Sequence, residues 1–301
     1  ENFKGTPAFL EFDTFENILK SSGKENLKEW KRLLWLCANL YNALPYRTQK
    51  SVYLAVFAAA VTGNPHAFDQ GTAEGKIQLF RPEMNAKRMI NSNARLCMPE
   101  FPVDMFVEAV KALVKVEADW VPSEPETSLY IRPFMFATEA ALGVHMASAY
   151  KFMIICCPVG AYYAEGINPV KILVEDELVR AVKGGTGFTK CGGNYAGSIL
   201  GQVKAETLGY SQVLWLDGEH RKYVEEVGTM NIMFKIAGEI YTAPIEGTVL
   251  PGVTRDSMIH LLRDWGYKVN ETRLSVDDLM KAGHDGTLEE VFGTGTAAVI
   301  S

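Results

Sequence analysis

The order of hydrophobic and polar positions predicts helices in the first part of the chain. In residues 25–43, hydrophobic side chains recur at spacings of three and four, which is the period of an amphipathic helix. Residues 50–62 stay hydrophobic and are rich in alanine, which also favours a helix. A loop is predicted at 63–75, where Gly, Pro, Asn and Asp are dense. Residues 1–75 are therefore predicted to form a helical N-terminal segment.

After residue 75 the pattern changes to short hydrophobic runs that alternate with amphipathic helices. Helices are predicted at 84–96, 101–119, 255–267 and 275–283, the last of them with Ser275 as its N-cap. Strands are predicted at 76–80, 128–138, 150–160, 213–216, 230–236 and 239–244. The final residues, AAVIS, stay hydrophobic, and a strand pattern at this point leads us to expect that more residues follow. The mixture predicts an α/β (α+β) fold class.

Composition narrows the classes of partner and compartment. The chain has 301 residues, 48% of them hydrophobic, and a net charge of −6. This length is enough for two domains. An acidic chain repels nucleic acid and anionic membranes, so we expect neither as a partner. We find no hydrophobic run of about 18 residues to span a membrane, and the N-terminus lacks a signal-peptide pattern. Five irregularly spaced cysteines predict a reduced, cytoplasmic protein without a metal site.

The segment that is richest in candidate chemistry is GGTGFTKCGGNYAGS, residues 184–198. Its glycines allow backbone amides to approach a ligand closely, and Lys190 stands in the middle with Tyr195 nearby. A lysine that loses its proton on burial can bond to an aldehyde cofactor. Composition alone leaves open a flexible surface loop with a solvated lysine. A phosphate-binding P-loop is not favoured, because Thr189 and Cys191 flank the lysine where that motif has Gly and Ser or Thr.

Three further segments could carry chemistry, and each has an ordinary structural alternative. YVEEVGTMNIMF (223–234) places Glu226 before a strand pattern, where it could hold a cationic ring nitrogen or could be a surface carboxylate. LPGVTRDS (250–257) offers free amides at a helix start, which bind phosphate well, although an N-cap alone explains it. FGTGTAA (292–298) is a Gly/Thr turn that could offer amides and hydroxyls, or could simply close a hairpin.

In this order the segments resemble the branched-chain amino acid aminotransferases, which are fold-type IV enzymes dependent on pyridoxal 5'-phosphate. The segments LFRPEMNAKRM (79–89), ADWVPSEPETSLYIRPF (118–134) and CPVGAYYAEGINPVKILVEDELVRAVKGGTG (157–187) resemble the same family. The resemblance covers about residues 76–301.

The resemblance implies a domain arrangement. Residues 76–163 would form the remainder of a small α/β domain, and 164–301 a larger, pseudo-barrel domain that binds the cofactor. Residues 1–75 do not resemble the aminotransferases, and AAAVTGNPHAFDQGT within them resembles an uncharacterised bacterial family associated with Toprim-type proteins. The family continues beyond GTGTAAVIS, so the resemblance implies a truncated C-terminus and an incomplete large domain.

The resemblance also implies roles for individual residues. Lys190 matches the catalytic lysine that bonds to the cofactor and then moves the α-proton, and Glu226 matches the glutamate that pairs with the pyridine nitrogen. The other positions that match cofactor-binding residues are Arg88, Tyr195, Val253, Thr254 and Thr296. The positions that match substrate-binding residues are Tyr130, Arg132, Thr229, Thr296 and Ala297.

The reaction that the resemblance implies is a transamination in two halves. A branched-chain amino acid (Leu, Ile or Val) gives its amino group to the cofactor, and 2-oxoglutarate takes it and leaves as glutamate. A homodimer is implied as well. Two alternatives share the fold, a D-amino acid aminotransferase and an aminodeoxychorismate lyase. A third, from another class, is a catalytically disabled fusion that acts as a binding protein through its helical front.

Overall fold

The computed structural model describes residues 77, 79–122, 127–160, 169–296 and 299–300. The helical segment predicted for 1–75 lies outside these residues. The chain divides into two compact units, one made of residues 1–80 with 121–128 and the other of 81–120 with 129–301. The domain boundaries predicted near residues 75 and 163 stay a prediction.

In the first unit, residues 77, 79 and 80 do not lie in a strand, so the strand predicted at 76–80 is wrong for these residues. The reason lies immediately after them. Arg81 adopts a left-handed conformation, with φ of 49°, and Pro82 occupies the start of a helix. Proline is well suited to this place, because its fixed φ is helical and its missing N–H would have had no partner in the first turn.

The helices that were predicted after residue 80 are confirmed. They are α1 (Pro82–Arg95), α2 (Val103–Val116), α4 (Val253–Asp264) and α5 (Val276–His284), with a 3₁₀ turn at Ala118–Trp120. Ser275 is the N-cap of α5 and accepts a hydrogen bond from the Asp278 amide at 3.1 Å, as its position in the sequence predicts. No helix in the part of the chain that the structure describes is long and hydrophobic enough to cross a membrane.

The strands form two sheets. The elements are β1 (Ser128–Ala137), β2 (Tyr150–Val159), β3 (Ile172–Glu175), β4 (Gln212–Leu216), β5 (Val224–Val227), β6 (Met230–Ile236), β7 (Glu239–Thr242), β8 (Val269–Glu271), β9 (Leu288–Gly295) and β10 (Val299–Ile300). Strands β1 and β2 pair alone, and the others form an eight-stranded sheet in the order β10-β9-β6-β5-β4-β3, with β7 between β6 and β8. Strand β6 is central, since it pairs with β9 along one edge and with β5 and then β7 along the other. The strands predicted between 128 and 244 are confirmed.

The core of the large sheet lies on both of its faces. Val213 and Trp215 of β4 point to one face and pack with Ala205 of the helix that precedes them. Leu214 and Leu216 point to the other face and join a cluster that includes Leu279 of α5. Because successive residues of a strand point to opposite faces, a strand buried on both sides is hydrophobic throughout, as QVLWL is.

The glycine-rich segment is the main correction to the local prediction. Only its first part is a loop, since α3 (Gly192–Thr207) begins at the second pair of glycines. Glycine disfavours a helix locally, but α3 continues beyond the motif and packs on the sheet through Ala205. A Cβ on Gly201 would lie 2.5 Å from the Trp215 ring, so the small residue lets α3 approach the sheet. Strands β3, β5, β8 and β9 were also not predicted.

Candidate functional site

Lys190 lies at the end of the loop that joins β3 to α3, and two polar side chains fix this loop. The Lys190 amide donates to Ser92 Oγ of α1 at 3.0 Å. Asn194 Nδ2 donates to the carbonyls of Thr186 and Thr189, at 2.8 and 2.9 Å. These bonds satisfy loop backbone groups that no helix or strand would pair, so they hold the backbone of the lysine in one position.

The amine of Lys190 lies 2.6 Å from the hydroxyl oxygen of Tyr195, which is in the first turn of α3. The Lys190 side chain is exposed overall, yet neighbouring protein groups partly desolvate its amine. This desolvation, together with the charge of Arg88, lowers the pKa of Lys190 to about 8. A lysine with such a pKa is partly neutral near physiological pH, and only the neutral amine is a nucleophile or a base.

Glu226 lies in β5 and is only 4% exposed. Its Oε1 accepts hydrogen bonds from the Leu250 amide at 2.8 Å and from Asn231 Nδ2 at 3.2 Å. Its Oε2 lies 3.2 Å from Arg180 Nε, in an ion pair whose two side chains are each 5% exposed. The Nε–H is not aligned for a hydrogen bond, so this contact is ionic. Burial outweighs the Arg180 charge and raises the pKa of Glu226 to about 7.

Arg88 lies on α1 and reaches the segment that leads into α4. Its Nη1 donates to the Pro251 carbonyl at 3.3 Å, and its buried position lowers its pKa. Helix α4 starts at Val253 and Thr254, and no side chain caps its first amides. A guanidinium beside uncapped amides at a helix start forms a binding site for an anion such as phosphate.

Gly252, the N-cap of α4, ties this anion site to Glu226. A Cβ at this position would overlap Asn231 Oδ1, so only glycine allows the segment to lie so close to Asn231. Asn231 also donates to the Leu250 carbonyl at 2.9 Å and to Glu226. One asparagine therefore holds both the carboxylate and the segment that leads into α4.

The predicted substrate residues Tyr130 and Arg132 lie on one face of β1, since they are two positions apart. Arg132 Nη2 is 3.4 Å from the Tyr130 hydroxyl, and the guanidinium carbon is 5.2 Å from the centre of the ring. Both residues influence the pKa of Lys190, Tyr130 raising it and Arg132 lowering it. The two residues therefore act electrostatically on the lysine amine.

Thr229 and Thr296 lie at one end of the large sheet. Thr229 is in the tight turn between β5 and β6, and Thr296 directly follows β9. Strands β6 and β9 are antiparallel with Asn231 opposite Thr294, and continuing this register places the two threonines opposite each other. Both are exposed. Ala297 lies outside the described residues.

Sequence reasoning missed several residues that build this site. Arg180 and Asn231 could have been found, because each is a polar residue within a hydrophobic run, LVRAV and MNIMF. Ser92 and Asn194 gave no such signal. Their importance comes from contacts with the loop before α3, which only the fold reveals.

Residues 68–301 match the family described as amino-transferase class IV. The chain belongs to this family. Residues 14–81 match a second family, described as protein of unknown function N-terminus (DUF3323). The resemblance found in the sequence is thereby confirmed for most of the chain. The expectation that the N-terminal segment of this class IV aminotransferase lies outside the family is confirmed as well.

Individual relatives agree with this assignment. Over 225 residues the class IV aminotransferase is 56% identical to branched-chain-amino-acid aminotransferase 2 of Bacillus subtilis (strain 168), covering 75% of this chain and 62% of the relative. It therefore spans less than two thirds of the length of that relative.

Solved structures show the same fold. The branched-chain amino acid aminotransferase of Escherichia coli has a TM-score of 0.64 and 29% identity, covering 74% of this chain and 70% of that chain. The enzyme of Thermobaculum terrenum in its PLP-form has a TM-score of 0.63 and 26% identity, covering 78% and 72%. The predicted fold class, an α/β (α+β) protein of fold-type IV, is confirmed.

Proposed function

We propose that this class IV aminotransferase binds pyridoxal 5'-phosphate and transfers the amino group of Leu, Ile or Val to 2-oxoglutarate. The observation that carries the proposal is the convergence of a lysine amine of lowered pKa, a tyrosine hydroxyl and a buried carboxylate. Lys190, Tyr195 and Glu226 supply these groups. Relatives that share this part of the chain are named branched-chain aminotransferases.

The chemistry of the site fits the cofactor group by group. Pyridoxal 5'-phosphate presents an aldehyde, a phenolic oxygen, a basic ring nitrogen and a phosphate. We assign them to Lys190, to Tyr195, to Glu226, and to Arg88 with the start of α4 at Val253 and Thr254, Thr296 adding a hydroxyl. When bound, the cofactor supplies an electron sink for the pair left behind as the substrate loses its α-proton.

The chain's own residues would move and hold protons. Lys190, with its pKa of about 8, can accept a proton in its neutral form and return it from its charged form, which is the requirement for a group that acts in both directions. The Tyr195 hydroxyl, 2.6 Å away, holds the direction of the amine. Glu226, kept from water by its burial, would pair in its anionic form with a protonated ring nitrogen.

The substrate side of the proposal rests on Arg132 and Tyr130. An exposed guanidinium near Lys190 offers a partner for the side-chain carboxylate of glutamate, while the Tyr130 ring offers apolar surface to a branched side chain. Thr229, Thr296 and Ala297 complete the substrate residues that we propose.

We place the working enzyme in the cytoplasm as a homodimer. The described cysteines are all free, which agrees with a reducing compartment. A second candidate, a binding protein that acts through the front of the chain, is supported by the separate family match at 14–81. An unchanged biological activity of the Lys190→Ala variant would favour that candidate.

Visible absorption tests the proposed function. The protein is loaded with pyridoxal 5'-phosphate, freed of excess cofactor, and mixed with L-leucine and then with 2-oxoglutarate. We expect a retained yellow band that bleaches with L-leucine and returns with 2-oxoglutarate. D-Leucine is the matched control, and bleaching by D-leucine in place of L-leucine would favour a D-amino acid aminotransferase. A colourless protein, or a band that ignores both, would contradict the proposal.

A further inference from the structure

Strand β5 carries two consecutive carboxylates that point to opposite faces of the sheet, because side chains alternate along a strand. Glu226 takes part in the proposed cofactor site. Glu225 is also buried, at 8% exposed, and has no part in that site. Its Oε1 accepts a hydrogen bond from Thr248 Oγ1 at 2.5 Å. Burying a carboxylate costs free energy unless hydrogen bonds compensate it. Thr248 is the only hydrogen-bond donor to Glu225 among the described residues, so its hydroxyl must stabilise the buried carboxylate.

Thr248 also contacts a residue on the face of β5 that carries Glu226. Its backbone carbonyl accepts a hydrogen bond from Arg180 Nη2. Arg180 Nη1 donates to the Gly187 carbonyl at 3.4 Å, and its Nε lies 3.2 Å from Glu226 Oε2. A continuous set of contacts therefore runs from Glu225 through Thr248 and Arg180 to Glu226, passing from one face of β5 to the other.

The position of the Thr248 carbonyl is closely defined. A Cβ at Gly187 would overlap both this carbonyl oxygen and the Ala181 side chain, so the backbone at 187 lies directly against Thr248. On the other side, the hydroxyl bond to Glu225 fixes the Thr248 side chain. The carbonyl that orients the guanidinium is thus held between Gly187 and Glu225.

We propose that Thr248, anchored by Glu225, is a positioning residue that holds the Arg180 guanidinium against Glu226 and so keeps Glu226 anionic for the ring nitrogen of the cofactor. The inference deepens the proposed function and depends on it for the identity of the cofactor. The set of contacts itself does not depend on the reaction. If the anchor is lost, Arg180 can turn away, and Glu226 retains burial without its counter-charge.

The charges around both carboxylates support a positional effect. Toward Glu226, Arg180 and Lys190 lower the pKa, whereas Glu225 raises it. The Tyr195 hydroxyl, on α3, also interacts with Glu226. Toward Glu225, the facing groups are Thr248, Arg180, Asp217 and Arg273. Glu225 can therefore act on the pKa of Glu226 in two opposite ways. Its charge raises that pKa, whereas its anchoring of Thr248, and so of Arg180, lowers it.

Two substitutions of Glu225 distinguish the charge effect from the anchoring effect. Glu225→Gln removes the charge but keeps an oxygen to accept the Thr248 hydroxyl, and Glu225→Leu removes both. If only charge mattered, both variants would lower the pKa of Glu226, because a neighbouring negative charge is gone. If anchoring dominates, Glu225→Gln lowers it or leaves it unchanged, and Glu225→Leu raises it.

The pKa of Glu226 is measured in the cofactor-free protein by NMR of carboxyl-labelled glutamate, with Glu226→Gln identifying the signal. We expect Glu225→Leu and Thr248→Val to raise this pKa and to weaken binding of pyridoxal 5'-phosphate at pH 7 by about tenfold, the factor that one pKa unit represents. Thr248→Ser keeps the hydroxyl and should behave as the wild type. Arg180→Met sets the largest effect that loss of the guanidinium can have.

Arg255→Met is the control for burying a methionine in place of an arginine. Arg255 is also buried, and its Nη2 donates to the Ala243 carbonyl at 2.7 Å. Its loss should lower the melting temperature without moving the pKa of Glu226. A Glu226 pKa that falls in Glu225→Leu, or stays unchanged in Thr248→Val while Arg180→Met raises it, would overturn the proposal. A wild type that binds no cofactor would overturn the proposed function, and the pKa comparison would still decide the positioning.

Discussion

Lys190 and Glu226 occupy two ends of the candidate site, and burial acts on them in opposite directions. Desolvation lowers the pKa of Lys190 to about 8 and raises the pKa of Glu226 to about 7. Both pKa values therefore lie close to neutral pH. Access distinguishes them. Tyr195, which contacts the lysine amine, is 38% exposed, whereas Glu226 is 4% exposed. The difference fits the proposed roles, in which Lys190 would meet substrates and Glu226 would only hold the cofactor ring.

The largest effect is expected at the open end. Lys190→Ala should lower the rate of transamination of L-leucine at least about a thousandfold, because the variant loses both the bond to the cofactor and the proton carrier. Lys183→Ala, a change at another exposed lysine of the same loop, should stay near the wild type. Steady-state assays with 2-oxoglutarate give both rates. Substantial activity in Lys190→Ala would remove the lysine from the proposed role.

At the closed end a smaller loss is expected. Glu226→Gln keeps the shape and the hydrogen-bond acceptor but loses the charge that stabilises a protonated ring nitrogen. The rate should fall about a hundredfold, the size typical for losing one preorganised electrostatic contact. Glu290→Gln, at an exposed position in β9, is the matched control. Equal losses in the two variants would mean that the buried charge has no special part in the reaction.

The dependence of stability on pH sharpens the comparison, because Glu226 and Lys190 should change the stability of the folded protein in opposite directions as the pH rises. The folded pKa of Glu226, about 7, lies above its ordinary 4.5, so its contribution is present below pH 4.5 and is lost as the pH rises through 7. The folded pKa of Lys190, about 8, lies below 10.5, so its contribution grows between these values. Melting temperatures of the cofactor-free protein should therefore fall and then rise across these windows.

Single substitutions assign these two slopes. Glu226→Gln should flatten the lower window, and Lys190→Met the upper one. The upper slope should be the shallower, since solvent screens the partly exposed lysine. A lower window that keeps its slope in Glu226→Gln would show that another group titrates there.

The smallest effect is expected at Gly252, which lies against Asn231, the residue that donates to Glu226. Gly252→Ala would press a methyl group on Asn231, costing about 1–3 kcal/mol of unfolding free energy. Binding of pyridoxal 5'-phosphate should weaken too, because the segment leading into α4 must shift. Gly283→Ala in α5 is the control, since its Cβ would meet nothing within 4 Å and alanine favours a helix. Chemical denaturation of both variants measures the difference. Equal stabilities would contradict the close contact at Asn231.

Regular elements of the fold could be predicted from the sequence where one face of an element is hydrophobic. The periods of three to four in α2 and α4 and the hydrophobic runs of β4 and β6 have this property, and the structure confirms them. The start of α3 could not be predicted, because its glycines disfavour a helix locally, and the close approach of this helix to Trp215 occurs further along it, at Gly201. Local sequence contains no record of such a distant neighbour.

The candidate site was predictable in its chemistry and less so in its supports. Lys190, Tyr195 and Arg88 are reactive or charged residues within motifs, so the family resemblance pointed to them. Arg180 and Ser92 act through contacts with segments far away in the chain, and their sequence context gives no direction for those contacts. The roles of the motif residues stay predictions that the experiments above can test.

The hydrogen bonds around the two ends also differ in how far apart their partners lie in the chain, which bears on the order of folding. Glu226 is held by Asn231 and Leu250, at separations of 5 and 24 residues, while the Lys190 amide is held by Ser92 across 98 residues. Contacts close in sequence form sooner on average, because the loop they close is short. Our hypothesis is that the carboxylate is enclosed early and the lysine is positioned late. Pulse-labelled hydrogen exchange during refolding would show the Leu250 amide protected before the Lys190 amide, and the reverse order would refute it.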